Sequence, residues 1–182
     1  MTIWNSRGLR GSVLEDLLTL TNEFYKQQKL ARIDKISVPI KVTEIDKNRN
    51  ITKAFFEKKS TVDFLGIIQG IAVAYDAKET NLKSIPLKNI HKHQIEFMKD
   101  YSDQSGLSFL IVHFKIFDEY FVIPFELLYT YYIKSENGER KSIPYKSIPK
   151  EYLINRPTNG ILNYLPVLNT YLKNKKNNLN NL

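Results

Sequence analysis

Residues 60–80 read S-T-V-D-F-L-G-I-I-Q-G-I-A-V-A-Y-D-A-K-E-T, and no other stretch restricts the fold of this chain so tightly. Two apolar runs flank Gln69-Gly70, which reads as a two-residue hairpin loop. That loop sets the register: Ile68 faces Ile71, Gly66 faces Val73 and Asp63 faces Asp76. Side chains on a strand alternate between faces, so Lys78 shares the face of Asp76 and Thr61 falls opposite Lys78. Directly opposed residues have Cβ atoms about 4.5–5.5 Å apart. The hairpin therefore predicts one polar square, Thr61, Asp63, Asp76 and Lys78, beside Leu65, Ile67, Ala72 and Ala74. The two alanines leave room next to it.

Two carboxylates facing each other at the apolar end of a hairpin repel, and the strain is relieved by protonation, by pairing or by a cation. Hard divalent ions such as Mg²⁺ take oxygen ligands, often one or two carboxylates with waters and substrate phosphate oxygens. An ammonium beside them, here Lys78, can stabilise charge developing on a phosphate or orient the attacking water. Acid, acid and lysine around one metal suit phosphodiester hydrolysis. A strand-start aspartate and a snorkelling surface lysine would produce the same spacing, so the square is an expectation for the structure to decide.

Around this hairpin the chain reads as one domain over residues 12–172, with no internal repeat. Residues 1–11 form a flexible basic arm carrying Arg7 and Arg10. Ser12 and Glu15 are spaced as a capping box, opening a helix that runs to about residue 31 on the apolar spacing of Leu14, Leu17, Leu18, Thr21, Phe24 and Tyr25. Capping explains Glu15 without any active site. Residues 36–45 alternate, Pro39 suggests an edge or a strand start, and residues 46–50 form a polar turn. The basic, aromatic segment 51–59 follows, so the two could project as a two-stranded arm. Phe55 and Phe56 among Lys53, Lys58 and Lys59 are either a core pair or a base-stacking, phosphate-binding surface.

Residues 86–101 predict a helix with Leu87, Ile90, Gln94, Phe97, Met98 and Tyr101 on one face. Gln94 is the polar member of that stripe, and an unpaired buried amide costs roughly 1–3 kcal/mol. It needs a partner inside: a metal, a metal-bound water or a backbone carbonyl. Residues 107–114 and 116–123 are apolar strands, 125–133 a short helix, 135–142 a polar basic loop, and a last helix ends near residue 172. Residues 173–182, K-N-K-K-N-N-L-N-N-L, read as a disordered polar tail.

Composition removes several chemistries. The absence of cysteine excludes disulfides, thiolate catalysis and cysteine-based zinc or iron–sulfur sites. His91 and His93, two apart on a helix, would point in different directions, and His113 in an apolar strand suits a hydrogen-bonded core position. Seven glycines form no Walker-type phosphate loop and no G-x-S-x-G. No apolar run spans a bilayer and the first residues carry no secretory pattern, so the expectation is a cytoplasmic protein without a membrane partner. The net charge of +8 favours a polyanionic partner, nucleic acid ahead of an anionic membrane surface, which would need an amphipathic basic helix that the sequence does not show.

Four blocks, residues 54–66 (A-F-F-E-K-K-S-T-V-D-F-L-G), 76–80 (D-A-K-E-T), 86–98 (P-L-K-N-I-H-K-H-Q-I-E-F-M) and 137–143 (N-G-E-R-K-S-I), resemble in order and spacing the RecU family of Holliday junction resolvases. These belong to the restriction-endonuclease-like PD-(D/E)xK nucleases, and the likeness extends over roughly residues 10–172. It implies an α/β fold: a restriction-endonuclease-like core with a mixed central sheet flanked by helices, and a projecting β stalk over about residues 39–58. It implies Mg²⁺ at Thr61, Asp63, Asp76 and Gln94, and transition-state stabilisation by Lys78; whether Mn²⁺ substitutes is open in the sequence. Glu15 would be accessory, and Arg10, Arg49, Phe55, Phe56, Lys58 and Lys59 would meet DNA. The implied activity is paired symmetric nicking of four-way junctions by a homodimer, leaving 5′-phosphate ends, with recombination proteins as further partners. The alternative is a junction-binding or recombinase-modulating protein with weak or no cleavage. One departure stands out: residue 76 is aspartate where the family more often has glutamate.

Overall fold

The computed structural model describes residues 12–56 and 61–180, with 177–180 described in backbone only. Arg10, Lys58 and Lys59, expected to meet DNA, lie outside the described residues.

Helix α1 (Val13–Gln27) opens on the capping box: Glu15 N donates to Ser12 Oγ (3.1 Å) and Ser12 N to Glu15 Oε1 (3.4 Å). It ends short of residue 31, where Lys29 takes a left-handed φ of 56°. The chain then forms strand β1 (Arg32–Lys35), which the sequence analysis did not predict. Four residues with one buried apolar side chain, Ile33, show too little alternation to read as a strand.

Among the described residues, strands β2 (Ile40–Ile45) and β3 (Ile51–Phe56) pair only with each other, and every residue in them is exposed. Their turn is held by Asp46, whose Oδ1 accepts from the backbone N–H groups of Asn48 and Asn50 (both 2.8 Å), with Arg49 at φ 65°. This is the two-stranded arm the sequence suggested.

Strands β4 (Phe64–Ile68) and β5 (Ile71–Thr80) form the expected hairpin in the expected register, Ile68 opposite Ile71 and Gly66 opposite Val73. Gln69 (φ 47°) and Gly70 (φ 89°) supply the two left-handed residues that suit a right-twisted hairpin. The chain continues through β6 (Ser84–Pro86), helix α2 (Lys92–Asp103), β7 (Leu107–Phe114), β8 (Glu119–Pro124), helix α3 (Phe125–Glu136), β9 (Ser142–Pro144), β10 (Leu153–Ile154) and helix α4 (Leu165–Asn180). Six strands make one mixed sheet in the order β1-β4-β5-β7-β8-β10, parallel at β5–β7 and antiparallel elsewhere. The parallel pair needs a crossover, which α2 supplies. Tyr75 on β5 points toward α1 and α4, where it meets Asn22 (2.8 Å) and Tyr164 (3.2 Å). Its neighbour Asp76 points the other way, toward α2. The result is the expected mixed sheet flanked by helices.

Two further helices depart from expectation. Residues 86–91 are not α-helical: Pro86 ends β6, a 3₁₀ turn covers Leu87–Asn89, and Ile90 is extended, so α2 starts at Lys92. Ile95 is buried on its inner face, while Phe97 and Tyr101 are only partly covered. At the other end, α4 continues to Asn180, well past residue 172. The supposed tail is anchored by Lys175, whose Nζ donates to Ser102 Oγ (2.9 Å) and Gly106 O (3.2 Å) and pairs with Glu126 (3.2 Å).

Gly66 is the point where β1 can lie on β4. A Cβ there would sit 2.2 Å from Arg32 O and 2.6 Å from Ile33 Cα, both backbone atoms that cannot step aside. Gly66→Ala should therefore destabilise the protein by at least about 2 kcal/mol in urea unfolding, with β1 amides exchanging first. An alanine variant as stable as the parent would mean that β1 does not pack at this distance.

Candidate active site

Beyond the pair Phe64–Tyr75 the β4–β5 ladder stops, while β5 runs on beside β7 to Thr80. On the side β4 has vacated, the backbone N–H of Ala77 needs an acceptor, and the Asp63 carboxylate provides it: Oδ2 accepts from Ala77 N at 2.8 Å. The Asp63 carbonyl accepts from Ile36 N, also at 2.8 Å, extending the β1 pairing. Held at both ends, the Asp63 side chain lies against β5 next to Asp76.

Asp76 is completely buried. Its Oδ1 accepts from Gln94 Nε2 (2.9 Å), and its Oδ2, which accepts no well-directed hydrogen bond, is in direct ion contact with Lys78 Nζ. Lys78 keeps 21% of its side chain exposed, so the ammonium spans from the buried acid to solvent. Gln94 is the N3 residue of α2, and its Oε1 accepts from the backbone N–H of His91 (3.0 Å). One amide thus caps a helix and fixes a carboxylate.

Burial, then repulsion from Asp76, push the Asp63 carboxyl up to about 7, against the Ala77 N–H and the Lys78 charge, which pull it down. A hydrogen bond to Asp76 also favours the protonated form. The two acids interact directly, as the predicted register requires. Thr61 is different. With the ladder ended at Phe64, strand pairing does not hold it opposite Lys78, and it sits half-buried two residues before Asp63.

The remaining candidates are spread out. Glu15 makes its cap and pairs through Oε2 with Lys35 (2.8 Å); burial raises its carboxyl, but the Lys35 ammonium and the Ser12 bonds bring it below its ordinary value. Lys35 is opposite Phe64 in the β1–β4 ladder, one residue from Asp63, so the Glu15–Lys35 pair flanks the acids. Sequence reasoning missed Lys35 because β1 itself was not legible. Arg49, Phe55 and Phe56 are on the exposed arm, not at the acids. His91 precedes α2, and its ring stacks on that of His93 (5.4 Å), contrary to the divergence expected of two helical neighbours. His113 is half-buried, stacked on Tyr120 (4.1 Å) between Glu79 and Asp118.

A divalent ion fits this chemistry. Asp76 Oδ2 is buried with an ammonium beside it and accepts no well-directed hydrogen bond, and the neighbouring acid is pushed toward neutrality by burial and then by the Asp76 charge. Among the described residues no group of three or more His, Cys, Asp or Glu side chains could hold a metal, so an ion here would take two carboxylates and complete its shell with neutral oxygens, as Mg²⁺ does. Gln94 presents its NH₂ to Asp76, and ligation by its oxygen would require the amide to turn over and release His91.

Residues 9–170 match the family profile described as Recombination protein U. The chain belongs to the RecU family. RecU relatives named Holliday junction resolvase include that of Oenococcus oeni, 36% identical over 167 residues (88% of this chain, 85% of the relative). That of Leuconostoc citreum is 36% identical over 173 residues (92% and 83%). A distant likeness among solved structures is Hjc, a Holliday junction resolvase from Archaeoglobus fulgidus, at 9% identity and a TM-score of 0.41 over 64% of this chain and 78% of Hjc.

The raised Asp63 carboxyl has a sign in stability. Its folded value of about 7 exceeds the ordinary 3.8, so the fold binds the proton more tightly than the unfolded chain between those limits. The stabilisation is full below about pH 4 and is lost as pH rises through 7. Metal-free protein should lose roughly 2–4 kcal/mol between pH 4.5 and 8, seen as a falling thermal midpoint. Asp63→Asn should flatten that fall. A midpoint that rises toward pH 8 would contradict the acid pair.

Proposed function

We propose that this chain is a Mg²⁺-dependent endonuclease that resolves four-way DNA junctions in recombination and repair. The observation that carries the reading is the contact set of Asp63, Asp76 and Lys78, two interacting acids and an ammonium at the open end of a hairpin. The names of its RecU relatives supply the substrate class. Asp63 and Asp76 would hold the ion, with Thr61 and a turned-over Gln94 as neutral oxygen donors; when bound, it supplies Lewis acidity and a more acidic water.

The chain's own residues do the rest. Before an ion binds, Gln94 keeps Asp76 in one orientation while the His91 N–H holds the amide oxygen; on turning over to ligate, Gln94 would give up both bonds. Asp63 must give up its proton for both carboxylates to be anionic. Lys78, freed from Asp76, donates to a non-bridging oxygen of the scissile phosphate and stabilises charge building there. Water adds to phosphorus, the P–O3′ bond breaks, and the 3′ oxygen takes a proton, leaving a 5′-phosphate and a 3′-hydroxyl.

A junction is cut in two opposed strands, so the reading includes a homodimer with two equivalent sites. The exposed arm, with Arg49, Phe55 and Phe56, would engage the junction's branch point, stacking on unpaired bases. Among the described residues no helix is long and apolar enough to cross a membrane.

Cleavage of a labelled mobile four-way junction with and without Mg²⁺ tests this directly. Asp63→Asn, Asp76→Asn and Lys78→Ala should each lower the single-turnover rate at least about 100-fold. Metal-free junction binding should stay within a few-fold of the parent. Gln94→Ala should weaken the apparent Mg²⁺ affinity about 10–100-fold at a milder cost in saturated rate. Asp63→Asn cutting at the parental rate would sink the assignment.

A further inference from the structure

The chain contains a short repeat that the sequence analysis did not find. Residues 83–90 read K-S-I-P-L-K-N-I and residues 141–148 read K-S-I-P-Y-K-S-I. The fold brings the two copies together. β6 and β9 pair antiparallel about Ile85 and Ile143, with Ser84 opposite Pro144 and Pro86 opposite Ser142. The flanking bonds are also exchanged symmetrically: Leu87 N donates to Lys141 O and Tyr145 N to Lys83 O, each at 3.1 Å. Each strand then enters a matching 3₁₀ turn, Leu87–Asn89 and Tyr145–Ser147, closed by Ile90 N to Leu87 O (3.0 Å) and Ile148 N to Tyr145 O (3.2 Å). Because hydrogen-bonded and non-bonded pairs alternate along an antiparallel ladder, both prolines fall at non-bonded positions, where a missing N–H costs nothing. The ribbon has a local two-fold axis.

Packing explains half of the repeat. Ile85, Ile143, Ile90 and Ile148 are buried and close the core beneath the ribbon. Packing does not explain the lysines. Lys83, Lys88, Lys141 and Lys146 are all exposed, and none makes an ion pair among the described residues. Exposed lysines elsewhere divide: Lys26, Lys53 and Lys99 each sit on an acid, while Lys29, Lys41, Lys47, Lys134 and Lys150 make no ion pair among the described residues, so it is the symmetric pairing of the four ribbon lysines that sets them apart. Neither copy of the repeat contains an acidic residue. The ribbon adjoins the two elements that carry the site: Thr80, two residues beyond Lys78 on β5, donates from Oγ1 to Ser84 O (3.2 Å), and Ile90 leads into the helix whose Gln94 holds Asp76.

We propose that this ribbon is a phosphate clamp for a DNA duplex arm, Lys83 with Lys141 and Lys88 with Lys146 contacting the backbones of its two strands. An antiparallel duplex has local two-fold axes of its own, so a two-fold set of point charges can meet both strands at once. Lysine suits phosphate contact without base preference. The clamp would hold the duplex on which the acids act, and to that extent the inference rests on the nuclease reading.

The test is the salt dependence of junction binding, measured by fluorescence anisotropy without divalent metal. Each lost phosphate contact lowers the slope of log affinity against log salt by about 0.9. Lys88→Gln with Lys146→Gln should lower it by about 1.8, and the fourfold glutamine variant by about 3.6. The corresponding arginine variants should keep the parental slope. Lys26→Gln with Lys99→Gln removes the same charge elsewhere and should leave the slope unchanged. Equal slopes in ribbon variants and parent, or an equal drop in the control, would overturn the clamp. Mg²⁺-dependent nicking by the parent, followed on the same junction, separates the two readings. Nicking with unaltered ribbon slopes removes the clamp alone, whereas ribbon-dependent slopes without nicking leave the clamp and remove the nuclease.

Discussion

A carboxylate with no exposed surface, one strand away from a second acid, is costly unless something answers its charge. Asp76 is in that position, and its surroundings answer it from three directions. Gln94 donates to one oxygen, Lys78 lies on the other, and Asp63 gives way by holding its own proton more tightly. Each answer depends on a different part of the fold. Gln94 needs the N-terminus of α2 at the right height, Lys78 needs β5 to run past the end of β4, and Asp63 needs the unclaimed N–H of Ala77. The parallel β5–β7 pair is what carries β5 beyond its hairpin partner and so opens the end where these groups meet.

The two small ribbons outside the central sheet differ in character. The arm puts apolar and aromatic side chains, Val42, Ile45, Phe55 and Phe56 among them, on strands with no core behind them. Exposed apolar side chains in that number signal contact with something other than water. The β6–β9 ribbon has the opposite character, with isoleucines turned inward and lysines outward. On the proposed reading, an aromatic surface for a branch point and a point-charge surface for duplex backbone would divide recognition of a branched polyanion between shape and charge.

The hairpin was legible because its chemistry is local. Gln69-Gly70 set the turn, the turn set the register, and the register put Asp63 beside Asp76. Gln94 was legible as a question, since a buried amide needs partners. Its answers, Asp76 and the His91 N–H, depend on where α2 begins, and the Pro86 that seemed to open a helix in fact ends a strand. The paired strand β9 is 58 residues away, a distance at which no window of hydrophobic periodicity operates. The same limit hid β1 and with it Lys35. The helical tail escaped notice because its polar composition suggests disorder, while two of its polar side chains are tied to the domain, Lys175 to Ser102, Gly106 and Glu126 and Asn174 to Glu151 and Tyr152.

Charge balance suggests why the acids are arranged as they are. With both carboxylates ionised, Asp63, Asp76 and Lys78 sum to −1, which burial resists, and the raised Asp63 carboxyl is the consequence. Adding a divalent cation takes the sum to +1, and adding one phosphodiester anion takes it to zero. Neither ion nor DNA alone makes the site neutral; together they do. The Lys78–Asp76 contact then reads as a holding arrangement, with the ammonium covering an oxygen that a better cation would claim and moving to the phosphate when released. Aspartate at this position, one methylene shorter than glutamate, keeps that oxygen close to the strand and within reach of Lys78.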